Sequence, residues 1–264
     1  MIAKLKKNTI LVKVGATILS FLVFGLIWQA VVTFTSVGKV MPGPIQTLQS
    51  FFEHFTVKYG SVYTLPMHVW ASLRRVMLGY LIAIVTATVI GILMASYKTI
   101  EAILNPLINL VRPIPPVAWI PLAILWFGIK DGSKYFLIFW AAFFSTIQNV
   151  IAGAKSADPT LIGAAKMLGA SDRHIFLTVT LPSAVPYLFS GLQLGLNAAW
   201  AMAVGSEMIR SSDGVGWLII RGMDNNNVLQ ELVGILAIGI VGYILATVLR
   251  GVESKLCRWT KRGR

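Results

Sequence analysis

Charge is scarce in this sequence and cysteine is nearly absent. Of its 264 residues only 12% are Asp, Glu, Lys or Arg, where a soluble domain carries about 25%. The single cysteine, Cys257, excludes a disulfide framework and a cysteine-rich metal site and reads as an incidental thiol beside Arg258. No phosphate-cradling loop of the form GxxxxGK[ST] occurs, nor an HExxH metal motif. His54, His68 and His174 stand isolated, so no metal cluster and no catalytic constellation are expected. What is abundant is apolar: 56% of residues are hydrophobic and the mean hydropathy is +0.75, which places the chain in the membrane class.

The net charge of +13 does not point to nucleic acid. The basic residues are scattered between apolar runs and form no basic face, as expected of a membrane protein that gathers Lys and Arg in its inner loops. Residues 1–13 are basic and precede an apolar run, as in a signal peptide. The run from Val14 to Thr35 lacks a small-residue cleavage site and is long enough to span, so it reads as a retained first helix.

A helix rises about 1.5 Å per residue, so a bilayer core needs about 20 apolar residues. Six segments qualify: 15–35, 70–96, 103–127, 134–152, 183–209 and 229–250. Met41-Pro42-Gly43-Pro44 is a turn, and residues 45–59 read as a short amphipathic helix on the membrane surface. Six spans put both termini on one side. Taking that side as the cytoplasm places the excess of Lys and Arg inside. Arg74 and Arg75 sit near the outer end of the second span and either snorkel to the interface or face a wet cavity.

In the second span Gly79, Ala83, Ala87, Gly91 and Ala95 recur every four residues, and in the fifth Gly191, Gly195, Ala199 and Ala203 do. Each set shares one helix face and predicts close backbone packing in lipid. The third span carries Pro113, Pro115, Pro116 and Pro121. Each proline removes a donor and kinks or breaks a helix. Broken backbone at membrane depth borders protein or water, so Pro115, Pro116 and Trp119 are candidates for a translocation path. The alternative is that the segment lies near the cytoplasmic surface and delays the helix start. Gln148 on the fourth span and Gln193, Asn197 and Glu207 on the fifth join the path candidates, with interhelical bonding as the alternative for the amides. Glu207 either serves a gate or pairs with Arg210 three residues on. Asp213 to Gly216 reads as an outer turn, and Trp200 and Trp217 as packing or interface anchors.

The fourth and fifth spans are joined by a long polar loop. Asp158 suits an N-cap, Pro159 the first helical position, and Gly169 a left-handed helix end. Ser171 or Asp172 can cap a second short helix running toward Leu181-Pro182. The loop therefore reads as two short helices with a sharp corner, outside the membrane.

Gly163-Ala164-Ala165, Gly169 and Leu181-Pro182 resemble the EAA loop of type I ABC importer permeases. Ser72 to Val76 with Gly79-Tyr80, Arg112 to Leu122, Trp126 to Ile129, Ala199-Trp200, Ser206 to Met208 and Gly214 to Leu218 resemble the branch serving nitrate, sulfonate and taurine. The resemblance implies an all-α membrane protein of the MetI-like fold with about six transmembrane helices. It implies an N-terminal helix and surface segment over 1–63, a permease core over 64–250 with a cytoplasmic coupling loop at 155–180, and a basic cytoplasmic tail over 251–264. The implied coupling residues are Asp158, Gly163, Ala164, Ala165, Lys166, Leu168, Gly169, Ala170, Asp172 and Arg173. Gly163 stands where the family has a glutamate, so a charged contact to the ATPase is either missing or supplied elsewhere, by Lys166, Asp172 or Arg173. The implied partners are two copies of a cytoplasmic ATPase, an extracytoplasmic solute-binding protein, a second copy of this chain and the lipid of a bacterial inner membrane, with no nucleic acid. ATP and magnesium would sit on the ATPase, leaving no cofactor and no catalytic residue here. The expected cargo is a small anion such as a sulfonate, nitrate or taurine. Two other classes stay open: a secondary transporter driven by an ion gradient, which would want buried acids, and a non-transporting scaffold.

Overall fold

The computed structural model describes residues 2–58, 63–209 and 211–257. Among them every regular element is helical. In chain order these are α1 (Ile2–Phe34), α2 (Pro44–Glu53), α3 (Leu65–Ser96), α4 (Lys98–Val111), α5 (Ile120–Phe127), α6 (Asp131–Ala154), α7 (Pro159–Met167), α8 (Asp172–Ile175), α9 (Leu181–Glu207), α10 (Val215–Asp224) and α11 (Val228–Leu256). Five segments are long and apolar enough to cross a membrane: Val14–Phe34, Leu65–Ser96, Asp131–Ala154, Asp172–Glu207 and Val228–Leu256. The expected third span is instead a bent pair, Lys98–Val111 followed by Pro116–Phe127, turned by 89°. Proline chemistry accounts for the bend. Pro113, Pro115 and Pro116 cannot continue the donor ladder of α4, and a 3₁₀ turn at Pro116–Trp119 restarts the helix.

The chain divides into two compact units, one from Met1–Leu65 and Ile219–Leu236, the other from Pro66–Leu218 and Ala237–Arg264. In the first, α2 begins at Pro44 after Gly43 and ends at Glu53, shorter than the expected 45–59, of which residue 59 lies outside the described residues. Thr47, Ser50 and Phe51 are buried, while Ile45, Leu48, Phe52 and Phe55 are exposed. That spacing lays an apolar stripe along the open face, as an interfacial helix requires.

In the second unit the small-residue stripes do the packing. The α3 stripe lies on α6: a Cβ at Gly79 would stand 2.7 Å from Ile138 Cγ2, and one at Gly91 2.7 Å from Val150 Cγ1. The α9 stripe lies on the same helix, where a Cβ at Gly191 would meet Asn149 Cβ at 2.8 Å. Thr146 Oγ1 donates across this interface to the Gly191 carbonyl at 3.3 Å. Tyr80 Oη donates to the Leu192 carbonyl at 2.8 Å, and Trp200 Nε1 to the Ile238 carbonyl at 3.1 Å, so α9 is bonded to α3 and α11 as well. Val76, Tyr80, Ala83, Ile138, Ala142, Leu196, Ala199, Trp200 and Ala203 form the core where these helices meet.

Candidate functional site

Three features of the second unit carry polar chemistry. The first is a buried ion cluster at the start of α6. Arg75, 2% exposed, donates from Nε to Asp131 Oδ1 at 2.8 Å, from Nη1 to Glu207 Oε1 at 3.0 Å, and from Nη2 to Asp213 Oδ1. Glu207 is fully buried and also accepts from Ser72 Oγ at 2.8 Å and the Gly216 amide at 3.1 Å. The Gly216 amide belongs to the first turn of α10, so the carboxylate sits where a helix start favours negative charge. Lys134 Nζ donates to Ser211 Oγ at 2.8 Å and lies 3.5 Å from Asp131. Arg74 is exposed and reaches Asp131 at 3.4 Å. His68 accepts from the Gly214 amide at 3.2 Å and stacks on Trp217 with ring centroids 5.3 Å apart.

This cluster bears on several expectations. Glu207 pairs with Arg75, 132 residues away in sequence; Arg210 lies outside the described residues. Arg75 neither snorkels nor faces water, because three carboxylates surround its guanidinium. Of the expected turn at 213–216, Asp213 and Gly214 form a bend, with Gly214 at φ +105°, and α10 begins at Val215. Arg75, Asp131 and Asp213 were not among the predicted site residues. They come from three separated stretches of chain, and no local spacing links them.

The second feature is a cavity of about 330 Å³ beside the break between α4 and α5, lined in part by Arg112, Pro116, Trp140, Ser145, Gln148 and Asn149. Of the predicted path residues it gathers Pro116 and Gln148. Trp119 reaches it through Trp140, with ring centroids 4.6 Å apart. Pro115 is exposed at the break. Gln193 lies elsewhere, donating to Glu253 Oε2 at 2.6 Å, Asn197 is exposed, and Glu207 belongs to the ion cluster. Trp140 was missed, although Trp140, Phe144 and Gln148 recur every four residues on one face of α6.

The third feature is the loop between α6 and α9. Asp158 accepts from the Thr160 amide at 2.8 Å and caps α7. Gly169 has φ +79°, and the Ala170 amide bonds the Ala165 carbonyl at 3.0 Å while the Gly169 amide bonds that of Lys166 at 3.0 Å. These two bonds form a Schellman end, which needs a left-handed residue where Gly169 stands. Ser171 accepts from the His174 amide at 3.3 Å and caps α8. The two short helices and their sharp corner are therefore as expected. A five-residue π-helical turn, Phe176–Thr180, then leads into α9.

At the corner Met167 and Leu168 are 86% and 88% exposed. Ala164 is open, Ala165 half-buried, and Gly163 has nothing within 4 Å of where a Cβ would stand. Lys166 Nζ and Asp172 Oδ1 lie 3.4 Å apart in full view of solvent, and Arg173 is exposed beside them. Beyond α11, burial pushes the Cys257 thiol up from its ordinary range, with Glu253 adding to the effect, which fits an unreactive thiol.

A family model described as the binding-protein-dependent transport system inner membrane component matches residues 87–258. A putative ABC transporter permease protein of Methanocaldococcus jannaschii is 39% identical over 191 residues, 72% of each chain. The taurine transport system permease protein TauC of Escherichia coli is 34% identical over 88% of this chain and 85% of its own. A putative aliphatic sulfonates transport permease protein, SsuC of Bacillus subtilis, is 32% identical over 88% and 83%. Among solved structures, an inward-facing MetNI methionine ABC transporter superposes with a TM-score of 0.56 at 20% identity, over 74% of this chain and 98% of that one, a likeness of fold.

Proposed function

This chain belongs to the family of binding-protein-dependent transport inner-membrane components, and we propose that it is the permease subunit of an ATP-driven importer for a small oxyanion. A sulfonate, nitrate or taurine is the cargo class, supported by relatives named for taurine and aliphatic sulfonates. The subunit works as a pair, with two cytoplasmic ATPases and an extracytoplasmic solute-binding protein. It sits in a bacterial inner membrane with both termini inside, and ATP and magnesium are handled by the ATPase.

One observation carries the coupling role. Met167 and Leu168 stand almost wholly open on a capped corner, and water is a poor environment for two adjacent apolar side chains. A groove on a partner would cover them. The small residues Ala164 and Ala165 allow close approach, and the Lys166–Asp172 pair and Arg173 supply charge beside the missing glutamate side chain at Gly163. In this reading ATP binding closes the ATPase pair, which pushes α7 and α8. The π-helical turn at Phe176–Thr180 marks where that push enters α9; such turns often lie at functional sites. Because α9 is bonded to α3, α6 and α11, the spans then rock between inward-facing and outward-facing states.

An ion-gradient mechanism would use an acid free to exchange a proton or sodium. Among the described residues the one buried acid is Glu207, and it is occupied by Arg75, Ser72 and Gly216. The test is ATP-dependent uptake by the reconstituted assembly with Ala165→Glu. Loss of uptake with normal insertion is expected; full uptake would remove the docking role.

A further inference from the structure

The loop between α6 and α9 starts from a junction of three helices. At the end of α6, Gly153 lies against the start of α9: a Cβ there would stand 2.7 Å from Tyr187 Cβ and 3.0 Å from the Ala184 carbonyl oxygen. Ser156 Oγ, donating to the Gly153 carbonyl at 2.7 Å, also lies 3.3 Å from the Ser183 carbonyl. Between them Lys155 donates from Nζ to Glu101 Oε1 at 2.5 Å, in the first turn of α4. Beside this bond the contact of α4 with α6 is apolar. Ile100, Leu104 and Ile108 recur every four residues on one face of α4 and pack with Phe144, Ile147 and Ile151 of α6. None of these side chains is small, unlike the stripes that bring α3 and α9 close onto α6.

Apolar attraction is non-directional and resists separation of two helices more than sliding of one along the other. A hydrogen bond between charged groups is directional and strong, and it resists sliding. The pair adds little to the fold itself: 45% and 31% of the Lys155 and Glu101 side-chain surfaces are exposed, and exposed ion pairs contribute little stability. Register matters because of what lies at the other end of α4. The helix runs through Pro106 to Val111, and Arg112, Ile114 and Pro116 just beyond it line the cavity at the break. Glu101 stands about 16 Å along the helix from Arg112. We propose that Lys155 and Glu101 are a positioning pair for transport: they fix the register of α4 against the base of the coupling loop, so that the cavity wall at residues 112–116 follows the loop when the ATPase moves it. The proposal rests on the importer reading and adds to it a second route, through α4 to the bent pair, beside the one through α9.

The test uses the full chain with the ATPase it retains, in lipid nanodiscs. Spin labels are placed by Leu110→Cys, near the break, and Ala152→Cys, in the last turn of α6, in a Cys257→Ser background; Leu110 and Ala152 are both exposed. An excess of unlabelled chain keeps one labelled copy in each assembly. The distance between the labels is measured without nucleotide and again with magnesium ATP trapped by vanadate. One narrow distance, the same in both states, is expected for the parent. Lys155→Met and Glu101→Gln each make it shift or broaden when nucleotide is trapped, and the double variant goes no further than either single, because the two partners of one contact do not add. Lys155→Arg, which keeps the charge, behaves as the parent. Melting temperatures stay at the parent's value in all of these, as expected of an exposed pair, so the change in distance is not a loss of fold. A parent distance that changes with nucleotide, or Lys155→Met and Glu101→Gln variants that hold the parent distance in both states, overturns the pair's role. Neither outcome touches the importer reading, which stands as long as the chain retains an ATPase. A chain that retains none removes that reading and this role together.

Discussion

Arg75 Nη1 donates to Glu207 Oε1 across 3.0 Å, tying the early part of α3 to the last residue of α9 with both side chains withdrawn from solvent. Asp131 brings in the start of α6 and Asp213 the segment before α10, so a single guanidinium joins four stretches of chain. Buried ion pairs resist the loss of one partner far more than the loss of both, because the survivor keeps its desolvation cost without its counter-charge. Arg75→Ala should therefore destabilise the chain by about 3–5 kcal/mol, and Arg75→Met with Glu207→Leu should recover part of that loss. Thermal unfolding in detergent measures both. A double variant no better than the single would show that the ion pair is not the coupled unit.

Gly214 and Gly163 should respond in opposite ways to the same substitution. Gly214 has φ +105° and a Cβ there would overlap the Glu207 carboxylate, so Gly214→Ala strains the backbone and pushes apart the ion cluster. Gly163 lies inside α7 with open space around it, and Ala there favours the helix by about 1 kcal/mol. Melting temperatures should fall for the first and hold or rise for the second.

How much of this could be read beforehand depended on whether the cause was local. The α7–α8 corner was legible because a cap needs Asp or Ser, a helix start tolerates Pro, and a left-handed end needs Gly. All three lie within a short stretch of chain. The helix-packing stripes were legible for the same reason, since small residues every four positions share a face. The break after α4 was legible as a break, but prolines do not specify an angle, so the 89° turn was not. Glu207 had a nearer cation in the sequence, Arg210, and its partner Arg75 became visible only once the fold brought α3 and α9 together. Helix α10 was hidden because its Gly-Val-Gly start reads as a turn until Glu207 and Ser72 are seen bonding its first amides. Trp140 was overlooked among many aromatic residues of α6, where apolar packing and lining a cavity give the same letter.

The α6–α9 contact predicts a third sensitivity. A side chain at Gly195 would overlap Thr146 Oγ1. Gly195→Leu should separate the two helices and cut the yield of folded chain sharply, whereas Gly239→Leu, where a Cβ meets nothing within 4 Å, should not. Size-exclusion profiles of the two variants in detergent decide this.

The open corner predicts a functional defect without a stability defect. Leu168 is 88% exposed and Met167 86%, so Leu168→Ser and Met167→Ser should leave the stability within about 0.5 kcal/mol of the parent, as surface substitutions do. Uptake should nevertheless fall, about tenfold or more for the pair, as truncating apolar anchors weakens docking. Transport by the reconstituted assembly, compared with melting of the isolated chain, separates the two effects.

The central claim is that this chain is driven by a separate ATPase held at the α7–α8 corner. The most direct measurement is an affinity pull-down of the chain in mild detergent, followed by an ATPase assay of what it retains, for the parent and for Ala165→Glu. The account predicts a co-purifying ATPase that the Ala165→Glu variant loses while remaining folded. A chain that purifies alone, shows no ATPase activity and still moves solute into liposomes under an ion gradient would contradict it.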